Sequence, residues 1–132
     1  MKFLVLVLLF VPMTLSADDR IALQDDAQLE AGLRIVAQAD LVRKNCDRVS
    51  LRIWRGLGLM NSLTARGYDL GYTRTEMRAY IENDDEKARV RALAKSDLER
   101  FGADFESPET LCDVAKERIA AEKGFGRYLN FR

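Results

Sequence analysis

Along most of the chain, large apolar residues return every three or four positions. Leu29, Leu33 and Val36, continued by Ala39 to Val42, form one series, broken by no proline and by Gly32 alone. Val49, Ile53, Leu57 and Met60 form a second, at i, i+4, i+8 and i+11. Each set gathers its large side chains on one side of a 3.6-residue helix, the side expected to face a core. The two series are either one bent helix or two helices meeting near Asn45-Cys46, with Gly67 and Gly71 marking the end of the second.

The local punctuation supports more helices downstream. Thr73-Arg74-Thr75-Glu76 reads as a capping box, in which the Thr73 hydroxyl accepts from the Glu76 N–H and the Glu76 carboxylate accepts from the Thr73 N–H. Met77, Tyr80 and Ile81 then form the stripe of a short helix. Asn83-Asp84-Asp85-Glu86 reads as a polar break and a new start, its acids favoured by the helix dipole. Val90, Leu93, Ala94 and Phe101 continue to a stop at Gly102, and Ser107-Pro108-Glu109 opens a last helix carrying Leu111, Ala115 and Ile119. No segment of useful length alternates with a period of two. The prediction is an all-α, single-domain bundle of four to six helices.

The first residues follow another rule. Lys2 precedes the apolar run Phe3 to Val11, and Thr14-Leu15-Ser16-Ala17 supplies small residues for cleavage. This order is that of a secretory signal peptide over residues 1–17, cut after Ser16 or Ala17, with residues 18–132 as the helical domain. The rival, a membrane anchor, falls short of the about 20 apolar residues a spanning helix needs. No cysteine follows the cleavage region, which argues against a lipid anchor. The expected location is the periplasm, with secretion as the alternative.

The two cysteines, Cys46 and Cys112, lie beyond the cleavage site. In an oxidising compartment they are expected to pair as a disulfide pinning the end of the first helical region to the start of the last. Two buried free thiols are the alternative. A zinc or redox site lacks both a CxxC and any histidine.

Composition narrows the chemistry. The 132 residues hold 21 Lys plus Arg against 21 Asp plus Glu, and no histidine. The missing imidazole excludes Ser-His-Asp and Cys-His nucleophile pairs and HExxH zinc sites. The even charge balance removes the usual signature of a nucleic-acid binder. No catalytic residue, metal ligand set or cofactor is therefore predicted. Carboxylates alone could serve a hydrolase, but Glu109, Asp113 and Glu117, at four-residue spacing, read first as a helix surface. Gly56-Leu57-Gly58 and Gly124-Phe125-Gly126 lack the strand, third glycine and lysine of phosphate loops. Gly56 and Gly58 are expected to permit close helix packing or a kink.

Two features suggest a partner. Lys44, Arg48, Arg52 and Arg55 fall at intervals of four, four and three, so one helix would carry them as a basic stripe. Such a stripe could meet lipid phosphates or an acidic protein. The plainer reading is a solvated face neutralised by the chain's own acids, such as Glu82, Asp84, Asp85 and Glu86. Lys87, Arg91 and Lys95 form a second line of the same kind. In the tail, Phe125, Tyr128 and Leu129 have helical spacing and are expected to close the core; alternatively Phe125, Tyr128 and Phe131 are an exposed anchor. Trp54 is expected in the core or half-buried.

The segments Arg43-Lys44-Asn45-Cys46-Asp47, Leu70-Gly71-Tyr72-Thr73 with Glu76 and Ala79-Tyr80-Ile81, and Glu86-Lys87-Ala88-Arg89, joined to one later cysteine, carry a likeness. Over nearly all of residues 18–132 the chain resembles a family of short exported alphaproteobacterial proteins known only as a domain of unknown function. The resemblance implies a periplasmic two-cysteine helical domain, and an association with genes for respiratory-chain subunits. It brings no activity and no catalytic residues. The expectation is a non-catalytic interaction or accessory domain, with an unidentified protein partner in the envelope and peripheral membrane contact as a possibility. The alternatives are a carboxylate-dependent envelope hydrolase and a small-ligand carrier.

Overall fold

The computed structural model describes residues 19–132. The signal peptide expected over residues 1–17 therefore lies outside the described residues; after a short 3-10 turn at Leu23–Asp25, helix α1 runs over Ala27–Asn45. The Asp26 carboxylate starts it by accepting from the Leu29 N–H at 3.0 Å. Helix α2 (Ile53–Asp69) lies beside α1, α3 (Arg74–Glu82) and α4 (Asp84–Arg100) follow, and α5 (Glu109–Ala120) closes the helical part. The capping box at Thr73 is complete, and the Asn83 side chain caps α4 through the Glu86 N–H. Gly102, at φ 103°, ends α4 in the left-handed region that a side chain resists. The last helix starts differently from the sequence reading. Pro108 sits at its cap position without a side-chain cap bond, and the Thr110 hydroxyl, rather than Ser107, ties the loop together.

Five helices fall within the predicted range, but the joint between the first two apolar series is neither a bend nor a helix pair meeting directly. Val49–Leu51 forms a strand, β1, which pairs antiparallel with β2, Leu129–Phe131, placing Val49 opposite Phe131 and Leu51 opposite Leu129. Val49 therefore belongs to this ribbon and not to α2. Likewise the tail is not α-helical: a 3-10 turn over Gly124–Tyr128 leads straight into β2. Strands of three residues are too short for alternation to declare itself, which is why periodicity missed them.

The core has two parts. The larger contains Val42 and Cys46 of the α1 end, Leu98 of α4, Leu111 of α5, and Phe125 and Leu129 of the tail, all buried. The Cys46–Cys112 disulfide joins α1 to α5 inside this cluster, with the Cα atoms 5.3 Å apart at a sequence separation of 66. The smaller part is Leu23, Leu29 and Leu63, flanked by Leu33, Leu59, Tyr72 and Met77. Here helices approach through glycine. A Cβ on Gly32 would stand 2.3 Å from the Leu63 side chain, and one on Gly67 1.9 Å from the Met77 sulfur. Gly67 thus serves α2–α3 packing inside the helix instead of ending it; Gly71, at φ 89°, makes the turn. Gly56 and Gly58 do not pack as expected, since a Cβ on either meets nothing within 4 Å.

Candidate functional site

Helix α2 carries two apolar stripes. Leu59, Leu63, Gly67 and Leu70 lie on one line, and Ile53, Leu57 and Met60 on another, roughly a quarter turn away at about 100° per residue. Glycine decides which one packs. The glycines at 32 and 67 let the first stripe come against α1 and α3. The second stripe, expected to face the core, is left in solvent, with Ile53 66%, Leu57 49% and Met60 40% exposed. Trp54, expected in the core or half-buried, is 85% exposed.

These side chains border a groove. Between α1 and the start of α2 a cleft of about 340 Å³ is lined by Val36, Ile53, Leu57 and Met60, with Tyr128 at one end. A second, about 380 Å³, continues over Leu33, Val36 and Ile81 toward α4. A third, about 400 Å³, reaches Leu29, Tyr68 and Met77. Met60 lines all three: the first and third follow α2 on either side of it, and the second branches from it toward α4. Exposed apolar surface that is contiguous and edged by charge has the character of an interaction site. Sequence reasoning found Ile53, Leu57 and Met60 but placed them inward. The signal that could have corrected this is the second stripe through Leu59 and Leu63, since one helix side cannot bury both.

The proposed basic stripe has a different structure from the one predicted. Lys44 closes α1, Arg48 sits in the loop before β1, Arg52 precedes α2 and Arg55 lies in its first turn, so no single helix carries them. Their partners are not the Glu82–Glu86 acids. Lys44 pairs with Asp40 at 2.6 Å, while Arg52 and Arg55 both reach Glu122, at 3.1 and 3.2 Å. Arg48 lies over the Phe131 ring at 4.6 Å and donates to the Arg132 carbonyl. In the second line, Lys87 pairs with Asp84, Arg91 with Asp40 and Lys95 with Glu99. The tail divides. Phe125 and Leu129 are fully buried, whereas Tyr128 and Phe131 are half-buried at the edge of the ribbon. Phe125 is thus a core residue and out of reach of a partner.

The carboxylates with displaced acidity are all tied to arginine or lysine. Arg66 holds Asp26 below its usual range, and Arg89 does the same for Glu86. Burial pushes Asp97 up, but Arg34, Arg100 and Gln38 outweigh it and the net direction is down. Asp40 follows the same balance, with burial opposed by Lys44 and Arg43. Arg52 and Arg55 lower Glu122, and Arg20 with the Thr73 N–H lowers Glu76 to about 2. Burial, then the hydrogen bond to Glu86, raises the Tyr80 hydroxyl. Glu109, Asp113 and Glu117 are exposed along α5. Among the described residues, no three His, Cys, Asp or Glu side chains converge as a metal-ligand group.

These shifts fix the acid response. A carboxylate lowered on folding stabilises the fold above its unfolded pKa, and that contribution is lost as pH falls through the folded value. With no histidine in the chain, side-chain titration leaves stability nearly flat between about pH 5 and 8. Thermal unfolding followed by circular dichroism is expected to show a constant midpoint in that range and a fall between about pH 4.5 and 2. Glu76→Gln should flatten part of that fall. A midpoint already declining at pH 6 would contradict the assignment.

Among the described residues, no helix is long and apolar enough to cross a membrane. Comparison with curated proteins and with solved structures finds no match. A family model does match, over residues 21–130, which takes in every helix, both cysteines and the groove: the chain belongs to the family of unknown function DUF5333.

Proposed function

We propose that this protein is a non-catalytic interaction domain of the bacterial envelope, exported by residues 1–17 and acting as an accessory to a larger envelope assembly. The observation that carries the reading is the outward apolar face of α2, where Ile53, Trp54, Leu57 and Met60 all meet solvent. A lone exposed aliphatic residue is ordinary, but a continuous trough is the mark of a docking surface. The disulfide supports export, because such bonds persist in oxidising compartments. The hydrolase alternative draws no support from the acids. A general acid needs a carboxyl raised in pKa, and the displaced ones here are all lowered by cations. The carrier alternative would favour an enclosed pocket, whereas these clefts run into one another along exposed side chains.

A photo-crosslinking amino acid at Leu57, compared with one at exposed Glu99 on α4, tests this in intact cells. The expected result is a discrete adduct from position 57 and none from 99. Leu57→Asp should reduce adduct formed from a crosslinker at Met60 at least tenfold, with thermal stability nearly unchanged because the side chain is exposed. Equal crosslinking from both faces, or none from the groove, would reject the reading.

A further inference from the structure

Which chemistry fits the groove follows from its rim. The walls carry Arg43, Arg52, Arg74, Arg78, Lys87 and Arg91 against two carboxylates, Asp40 and Glu86. Asp40 pairs with Arg43 and Arg91, Glu122 with Arg52 and Asp84 with Lys87, so among the described residues Arg74 and Arg78 are the rim cations without an ion pair. Asp40 also receives Lys44, and Glu86 is held by Arg89 and Tyr80. Arg74 and Arg78 are exposed, on the first turns of α3. The result is an apolar floor with two exposed arginines, Arg74 and Arg78, on its α3 wall.

The length is also defined. From Ile53 to Tyr68 the open face of α2 covers about 22 Å at 1.5 Å per residue, or about four helical turns. A trough of this length and lining matches a helix whose apolar residues recur at i, i+4, i+7 and i+11. We propose that the groove receives an amphipathic α-helix of a partner protein, its apolar stripe flanked by Asp and Glu. This rests on the reading of the groove as a docking surface and specifies what docks there. A second copy of this chain fits poorly, because a two-fold pairing through the groove would offer Arg74 and Arg78 only Asp40 and Glu86, which are already paired. A flat anionic bilayer would touch Trp54 and Ile53 at the open end but would not follow the floor to Leu33.

Trp54 is the single tryptophan of the chain and lines an adjoining cleft that shares Leu51, Arg52 and Ile53 with one end of the groove, so its fluorescence reports occupancy of that end. The probes are two 18-residue amphipathic peptides without aromatic residues, identical in their Leu stripe, one flanked by Glu and the other by Lys. The disulfide-bonded protein should give a blue shift with the Glu peptide at a Kd at least tenfold below that for the Lys peptide. The gap should shrink in about 0.5 M salt, where screening is strong. Arg74→Glu with Arg78→Glu should reduce it as well. Equal affinity for both peptides overturns the proposal. So does a blue shift with phosphatidylglycerol vesicles and neither peptide, or a concentration-dependent dimer that blocks Trp54. If neither peptide binds while Leu57 still crosslinks in cells, the helix assignment fails and the docking surface stands; if both fail, the parent reading falls with it.

Discussion

Replacing both half-cystines, Cys46→Ala with Cys112→Ala, is expected to lower the unfolding free energy by about 4 kcal/mol. The size follows from the loop the bond closes. At a sequence separation of 66, the unfolded chain loses a large share of its conformational freedom when cross-linked. The bond also sits where it matters for the native state. Cys46 ends α1 one loop before β1, and Cys112 lies in the first turn of α5, so the bridge links the oldest and newest parts of the larger core along the chain. A domain of this size commonly has about 5–15 kcal/mol in total, so the loss would consume much of the margin. Urea unfolding of the oxidised protein and the double variant measures it directly. The variant should also show a steeper denaturant dependence, because its unfolded state exposes more surface. A difference under about 1 kcal/mol would mean that the two segments are held together equally well without the bond.

What could be read beforehand divides along a physical line. Features set by a few adjacent residues were legible: the Thr73–Glu76 box, the Asn83 cap and the Gly102 stop all appear where sequence placed them. The cysteine pairing was legible for a different reason, since two cysteines allow only one partner each. The all-α class followed from periodicity over long segments. The ribbon did not, because three residues of β1 pair with three some eighty positions later, and nothing local announces a contact at that range. That strand also broke the basic stripe. A helical count from Lys44 to Arg55 assumes continuous helix, and β1 stands between α1 and α2 there.

The groove was half legible, and its error has a cause. Periodicity finds the apolar stripe of α2 through Ile53, Leu57 and Met60 but carries no information about direction. Burial on the neighbouring stripe was decided by Gly32 and Gly67, whose missing side chains admit Leu63 and Met77. Such glycines look like breaks in a sequence and act as sockets in the fold. The consequence reaches the surface, because residues that sequence assigned to the core are the ones left in solvent.

Phe125→Ala is the second large effect, expected at about 3–5 kcal/mol. Phe125 is fully buried at the centre of the larger cluster, among side chains from α1, α4, α5 and β2. Its surroundings have little freedom to collapse into the void. The next residue, Gly126, passes so close to α5 that a Cβ there would stand 2.2 Å from the Arg118 carbonyl oxygen, so the 3-10 turn is locked against backbone rather than a yielding side chain. Beyond it, the Tyr128 carbonyl accepts from the Arg52 N–H at 2.7 Å, which anchors the entry to α2 and the end of the groove that Tyr128 lines. Loosening this turn should therefore disturb the groove as well as the core. Phe131→Ala is the matched control, because that ring is half-buried beside Arg48 and should cost about 1 kcal/mol. Chemical denaturation of the two variants gives the comparison, with Trp54 fluorescence as an independent report on the groove. Near-equal losses at 125 and 131 would place the tail on the surface of the domain instead of inside it.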